Sequence, residues 1–352
     1  MDQHRARGNG RYGPRPAPGN RAPQRSPRAG RRRRKRRNWF RTLVTGFCTV
    51  FCLGFVYLSI LLPALREGEA RSTAASVPPP ALSLVGGGEN NALLEGICSR
   101  NAVLADLESG EILAEKSGGE RMYPASLTKI MTAVLALESF PDVSRSLTVP
   151  EDIFPALYEE NASMAGFQPG EEASVRDLLY GALLPSGAEC CLTLANNAAG
   201  SEEAFVEQMN QKAKELGMEH THFSNCTGLQ AEDHYSTARD LALLLRYALQ
   251  NEEFRQAFTS LRYSVPPTAQ HPQGFTFYST ALSAAEGIEI SGGQILGGKT
   301  GFTSEAGLCL ASLGLAGGRE YILVTGGAPG DHSTEPYHLL DAAEVYRRAA
   351  AL

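Results

Sequence analysis

The sequence predicts an α+β fold: an antiparallel sheet flanked by helices, with a helical lobe inserted between its first and last strands and one transmembrane helix ahead of it. Three observations carry that expectation. Strand patterns occur near residue 102 and again after 290, with helical periodicity between them; an uncharged apolar stretch precedes both; and charge is partitioned along the 352 residues. A net charge of only −5, from 33 Lys+Arg against 38 Asp+Glu, conceals the partition. Residues 1–41 carry 15 basic residues and one acid, Asp2, residues 42–65 carry no charge, and 66–352 carry 18 basic and 37 acidic residues. The arm is therefore +14 and the long C-terminal part −19, which implies separate environments. With 43% hydrophobic and 20% charged residues the chain is neither disordered throughout nor multiply membrane-spanning.

Residues 1–41 are rich in Gly, Pro and Arg and poor in large apolar side chains, as in a disordered cytoplasmic arm attracted to anionic lipid. The arm lacks interleaved aromatics, so no nucleic-acid partner is expected. Residues 42–65 exceed the roughly 20 needed to span a bilayer as a helix. Arg31 to Arg37 and Arg41 abut the span, so the positive-inside rule leaves the N-terminus in the cytoplasm. The expected product is a single-pass protein of the cell membrane with everything after the span exported. A cleavable signal peptide would have a shorter apolar run, about 7–15 residues, and a small-x-small site. Residues 66–91, with Pro78-Pro79-Pro80 and Gly86-Gly87-Gly88, read as a flexible linker. Residues 92–352 are long enough for one substantial domain.

That domain opens with a β-hairpin, 102–107 and 112–114 about the turn residues Ser109-Gly110. Leu127, Ile130, Met131 and Val134 recur at i, i+3, i+4 and i+7, predicting an amphipathic helix. Ser174 begins a second helix through Asp177, Leu178 and Ala182. Ser201 caps a third, with Glu202 and Glu203 in its first turn, Phe205 and Met209 on its apolar side and Gly217 at its end. Thr237 with Asp240 starts a fourth. Strands are expected at 294–296, 308–313 and 321–324, and a closing helix at 337–351. Cys98, Cys190, Cys191, Cys226 and Cys309 are an odd number of exported cysteines and are expected to be free thiols, Cys98 the most exposed. His220 and His222 lack a third ligand at metal spacing, so no metal is expected.

Three short elements carry chemistry. Ser126-Leu127-Thr128-Lys129 places a hydroxyl and an amine on one face of a helix start. A serine is a weak nucleophile until a base takes its proton, and lysine serves only if burial and a neighbouring cation lower its pKa. Lys299-Thr300-Gly301, on an edge strand, would set an ammonium and a hydroxyl beside a substrate carboxylate, with Gly301 letting a ligand backbone lie close. Ser186-Gly187-Ala188 lies on a turn between helices.

In this order they form the S-x-x-K, S-x-N, K-T-G set of penicillin-binding proteins and class A β-lactamases. The sequence resembles the serine D-alanyl-D-alanine carboxypeptidases, the low-molecular-mass penicillin-binding proteins. The likeness runs through 102–137, 168–171, 177–187, 205–223, 227–229, 234–240 and 298–303 and covers about 92–350. It implies a penicillin-binding protein/β-lactamase-like fold and a catalytic set in which Ser126 is acylated, Lys129 is the base and Ser186 relays protons. Lys299, Thr300, Gly301 and Phe302 would bind substrate, Lys299 and Thr300 at the terminal carboxylate and the Phe302 N–H, with that of Ser126, as oxyanion hole. The implied partners are peptidoglycan stem peptides ending in D-Ala-D-Ala, which lose their terminal D-Ala, and β-lactams; no cofactor is implied. Ser163 aligns with a region bordering the cleft.

Two departures stand out. Ala188 replaces the family's Asn, so something else must orient Lys129; Asn196 and Asn197 lie too far along the helix. Only about 50 residues follow the K-T-G, so the C-terminal β-domain of many relatives is expected to be missing. The alternatives are a catalytically impaired wall-binding homologue and a β-lactamase or esterase using the same nucleophile.

Overall fold

The computed structural model describes residues 83–84 and 91–352. The expected arm at 1–41, the expected span at 42–65 and most of the linker at 66–91 lie outside the described residues. Among the described residues no helix is long and apolar enough to cross a membrane.

Within the stretch read as linker, β1 (Ser83–Leu84) pairs in parallel with β3 (Glu111–Lys116). The expected hairpin joins β2 (Asn101–Asp106) to β3 through a turn in which Asp106 Oδ1 accepts from the Ser109 N–H at 2.8 Å and Gly110 has φ +77°. Near the C-terminus β8 (Gly293–Thr303), β9 (Gly307–Ala316) and β10 (Arg319–Ala328) form an antiparallel meander. The six-stranded order is β1-β3-β2-β10-β9-β8, so the early hairpin joins the late meander at the β2–β10 ladder and β8 is an edge.

Between β3 and β8 lie eight helices: α1 (Lys129–Ser139), α2 (Phe154–Glu159), α3 (Val175–Leu183), α4 (Ala188–Ala199), α5 (Glu202–Leu216), α6 (Ala238–Ala248), α7 (Glu252–Phe258) and α8 (Thr280–Ala284). Two small antiparallel pairs, β4 (Ser146–Thr148) with β5 (Glu172–Ser174) and β6 (Arg262–Val265) with β7 (Phe275–Tyr278), were not expected. The closing helix is α9 (Tyr337–Ala349). The sheet separates two cores. Val103 and Ala105 enter the one shared with the lobe, while Ala102 and Leu104 enter the one beneath α9. Covered on both faces, β2 therefore reads as an apolar run from Ala102 to Ala105.

Local capping follows the sequence. Ser174 and Asp177 close a capping box on α3, the Ser201 hydroxyl accepts from the Ala204 N–H, and Gly217 ends α5 at φ +79°. Two expectations are corrected. α1 is buried all round from Lys129 to Leu137 rather than amphipathic, because it is enclosed by α3, α4, α5 and α6. The strand expected at 294–296 runs on through the K-T-G. Gly297 is there because a Cβ would lie 2.4 Å from the Phe258 carbonyl oxygen, a close approach of the end of α7.

α9 also fastens the N-terminal edge of the domain. Asp341 accepts from the N–H groups of Cys98 and Ser99, each at 2.8 Å, and Arg348 Nη1 donates to the carbonyls of Ala92, Leu93 and Glu95. All five cysteines of the described residues are free, Cys98 exposed and the others buried.

Candidate active site

Ser126 lies in a 3-10 turn, Ala125–Thr128, that runs directly into α1, whose first residue is Lys129. The turn is tight: Ala125 has φ +47°, a left-handed conformation unusual for a residue with a side chain. It is gripped from two sides. A Cβ on Gly228, itself at φ +83°, would sit 2.0 Å from the Ala125 carbonyl oxygen, so only glycine lets the loop 225–229 lie there. A Cβ on Gly301 of β8 would sit 3.1 Å from the Ser126 backbone N.

Lys129 Nζ is 2.9 Å from Ser126 Oγ and donates to the Thr227 carbonyl at 2.5 Å. The side chain is 3% exposed, and burial lowers its pKa from the ordinary 10.5, opposed by weaker effects of Cys191, Cys226 and Glu189. A neutral amine at this distance can take the serine proton. Lys299 repeats the arrangement with the other serine: it is fully buried, and its Nζ donates to Ser186 Oγ at 3.0 Å and to the Thr300 carbonyl at 2.8 Å. Burial, and then the charge of Lys129, hold Lys299 well below 10.5. Ser186 has φ +71°, a second left-handed non-glycine residue in the site.

The orienter that Ala188 cannot supply is the Thr227 carbonyl. Asn225 holds it: its Oδ1 accepts from the N–H groups of Thr227 and Gly228, and its Nδ2 donates to the Leu229 carbonyl. Asn197 bonds the Thr193 carbonyl of its own helix. Ala188 is the first residue of α4, and its N–H donates to the Ser163 carbonyl at 2.8 Å. Beside it, buried Glu189 accepts from the N–H groups of Ala165 and Gly166 at 2.7 and 2.8 Å, tying the segment that carries Ser163 to α4. Behind the serine turn, the Ser224 N–H donates to His234 Nδ1 at 3.0 Å, which leaves Nε2 to carry the proton and donate to Thr128 Oγ1 at 2.7 Å. Burial pushes His234 down to about 4, so it is neutral near pH 7.

Sequence reasoning missed Asn225, Thr227, Glu189, His234 and Thr280, whose hydroxyl is 2.7 Å from that of Thr300. The usable sign was Asn225 three residues before Gly228, an Asx turn ending in a left-handed glycine.

Ser126, Ser163, Ser186, Thr300, Gly301 and Phe302 meet at a cleft of about 200 Å³. Lys129 and Lys299 do not line it; each stands behind the serine it bonds. A serine paired with a buried lysine beneath a K-T-G edge strand defines a serine-type acyl-transfer site. The D-alanyl-D-alanine carboxypeptidase family model matches residues 89–330, and the chain belongs to that family. It is 33% identical over 251 residues to D-alanyl-D-alanine carboxypeptidase DacF of Bacillus subtilis, covering 70% of this chain and 62% of that protein. It is 31% identical over 261 residues to a D-alanyl-D-alanine endopeptidase of Pseudomonas aeruginosa, covering 72% and 76%. The chain thus spans less than two thirds of DacF, and 38% of Escherichia coli DacC, which it matches at 40% identity over 154 residues. Among solved structures, the Streptomyces K15 DD-transpeptidase superposes with a TM-score of 0.65 at 27% identity, covering 73% of this chain and 98% of that one. A D-alanyl-D-alanine carboxypeptidase from Mycobacterium tuberculosis H37Rv superposes at 0.62 and 25% identity, covering 78% and 96%.

Proposed function

We propose that the protein is a serine D,D-carboxypeptidase, anchored through 42–65 with its catalytic domain outside the cell membrane, that removes the terminal D-Ala from peptidoglycan stem peptides. The observation that carries this reading is the buried Lys129 amine 2.9 Å from Ser126 Oγ. Neutral Lys129 takes the Ser126 proton as Oγ attacks the carbonyl of the penultimate D-Ala. The backbone N–H groups of Ser126 and Phe302 receive the developing oxyanion; donors so placed stabilise a transition state by a few kcal/mol each. Ser186 gives its hydroxyl proton to the departing D-Ala amine as the peptide C–N bond breaks and is reprotonated by Lys299, to which it is bonded. Water then hydrolyses the ester on Ser126 and restores the hydroxyl. A β-lactam acylates the same oxygen.

Fluorescent penicillin labelling and D-Ala release from a D-Ala-D-Ala pentapeptide, with Ser126→Ala as control, test the reading. Both are expected for the wild type and neither for the variant; a wild-type protein that does neither refutes it. Because Cys98 is exposed, a membrane-impermeant maleimide should label it on intact cells from which any outer layer has been removed. Labelling only after lysis would reverse the orientation.

A further inference from the structure

Beyond Thr300 and Phe302 the cleft continues to a wall that the proposed reaction does not use. The segment between β10 and α9 contributes Asp331, His332 and Thr334, and the first turn of α9 contributes His338. Among the described residues lining the cleft, Asp331, His332 and His338 are the titratable ones, and no Lys or Arg is present. Lys299 was expected to meet the substrate's terminal carboxylate. Its amine lies behind the cleft, donating to Ser186 Oγ and the Thr300 carbonyl, and does not line the cleft itself. What the cleft does offer a carboxylate is the Thr280–Thr300 hydroxyl pair and two imidazoles. The His332 ring stands edge-on to Phe302, 4.9 Å between centroids, which sets it beside the strand that carries Thr300. His338 is 7% exposed, and its buried Nδ1 has no hydrogen-bond partner.

We propose that His332 is the cation of the terminal-carboxylate subsite, completed by His338 and the Thr280–Thr300 hydroxyls, so that capture of a carboxylate-ended peptide strengthens as pH falls. This rests on the peptidase reading of the same cleft. Imidazole is the ordinary side chain that gains its charge between pH 8 and 5. The strands lining the same cleft present Thr300, Gly301, Phe302 and Leu308, of which Phe302 meets the His332 ring, and none titrates there. Its own segment adds Asp331, whose Oδ1 accepts from the Ser333 N–H and hydroxyl and which those bonds hold below the usual carboxylate range. From α9 comes His338, which burial pushes down to about 4; the neutral ring supplies a hydrogen bond and no charge. The Asp341 carboxylate acts on His338 and is itself occupied by Ser99.

The test is calorimetric binding of diacetyl-L-Lys-D-Ala-D-Ala, and of its C-terminal amide, to full-length Ser126→Ala protein in detergent from about pH 5.5 to about pH 8.5. The carboxylate peptide is expected to bind about tenfold more tightly at the acid end, the strength of a charge-assisted bond, and the amide to show no such trend. Adding His332→Gln should leave the carboxylate peptide weak at every pH, and His332→Arg should keep it tight at every pH. An unchanged pH trend in His332→Gln overturns the proposal, as does the same trend for the amide or no binding of either peptide. If wild-type protein resists penicillin while pH-dependent binding persists, the peptidase reading falls and the subsite stands.

Discussion

Asn225 holds the carbonyl that orients Lys129 without touching the reacting atoms, so it is the position at which orientation separates from chemistry. Its Oδ1 accepts from the Gly228 N–H at 2.7 Å, the Thr227 N–H at 3.2 Å and the Thr227 hydroxyl at 3.1 Å, and its Nδ2 donates to the Leu229 carbonyl at 3.0 Å. Such bonds contribute about 0.5–1.5 kcal/mol each, and four from one side chain are not independent, so Asn225→Ala should cost about 2–4 kcal/mol. If that free energy is what keeps Thr227 under Lys129, its loss appears in the acylation barrier. At about 1.4 kcal/mol per factor of ten, the expected slowing is roughly 30- to 1,000-fold. The assay is the second-order rate constant for acylation by fluorescent penicillin, with thermal melting alongside; the stability loss alone should lower Tm by roughly 4–15 °C. Acylation within twofold of wild type, together with the expected fall in Tm, would refute the reasoning, because the loop would then support the fold without positioning the base.

Acylation should rise with pH and level off below the ordinary lysine value, since Lys129 must be neutral and burial lowers its pKa from 10.5. Lys129→Arg, which does not deprotonate, should acylate about a thousandfold more slowly; a flat wild-type profile from about pH 5 to about 10 contradicts the assignment. His234, held at about 4 against an ordinary 6.5, is neutral in the fold where the unfolded chain already binds a proton. Its stability contribution is therefore full above about pH 6.5 and is lost as pH falls towards 4, about 3 kcal/mol over that window. Urea denaturation at about pH 7 and about pH 4 measures the loss, and His234→Gln should reduce the difference; an unchanged difference would count against it. Arg348→Ala removes the donor to the Ala92, Leu93 and Glu95 carbonyls and should cost about 1–3 kcal/mol while leaving acylation alone. An unshifted denaturation midpoint would show that this fastening contributes nothing.

What was legible in the sequence was what residue type decides locally. The caps at Ser174 and Ser201, the stop at Gly217 and the β2–β3 hairpin each depend on side chains within a few positions. α1 is buried all round although Thr132 interrupts its apolar run. The Thr132 hydroxyl donates to the Cys226 carbonyl at 2.6 Å, so a polar residue is buried at no loss of hydrogen bonding. Gly297 looked like the end of a strand because its reason, the Phe258 carbonyl, lies 39 residues earlier in the chain and in another element. In the site, Ser126, Lys129, Ser186, Lys299, Thr300, Gly301 and Phe302 were all named by their side chains or motif and fall around one cleft or directly behind it. Thr227 was not, because it acts through a backbone carbonyl, a group that every residue carries. The direction of Lys299 was equally invisible: K-T-G on an edge strand does not say which face of the strand the ammonium takes.

That direction bears on how one cleft can serve both steps. Taking the Ser126 proton needs a neutral amine, and holding a terminal carboxylate is favoured by a charge. Burial lowers the pKa of both Lys129 and Lys299, and the charge of Lys129 lowers that of Lys299 further. The amines behind the serines are thus suited to moving protons. On the proposed reading the charge for the carboxylate comes from the mouth of the cleft, where the His332 ring stands edge-on to Phe302. Joining the two proposed requirements gives kcat/KM for a carboxylate-ended peptide a bell-shaped profile, whose acid limb comes from Lys129 and whose alkaline limb depends on the proposed carboxylate subsite. A substrate whose terminal carboxylate is blocked keeps only the acid limb, so the difference between the two profiles isolates the subsite from the chemistry.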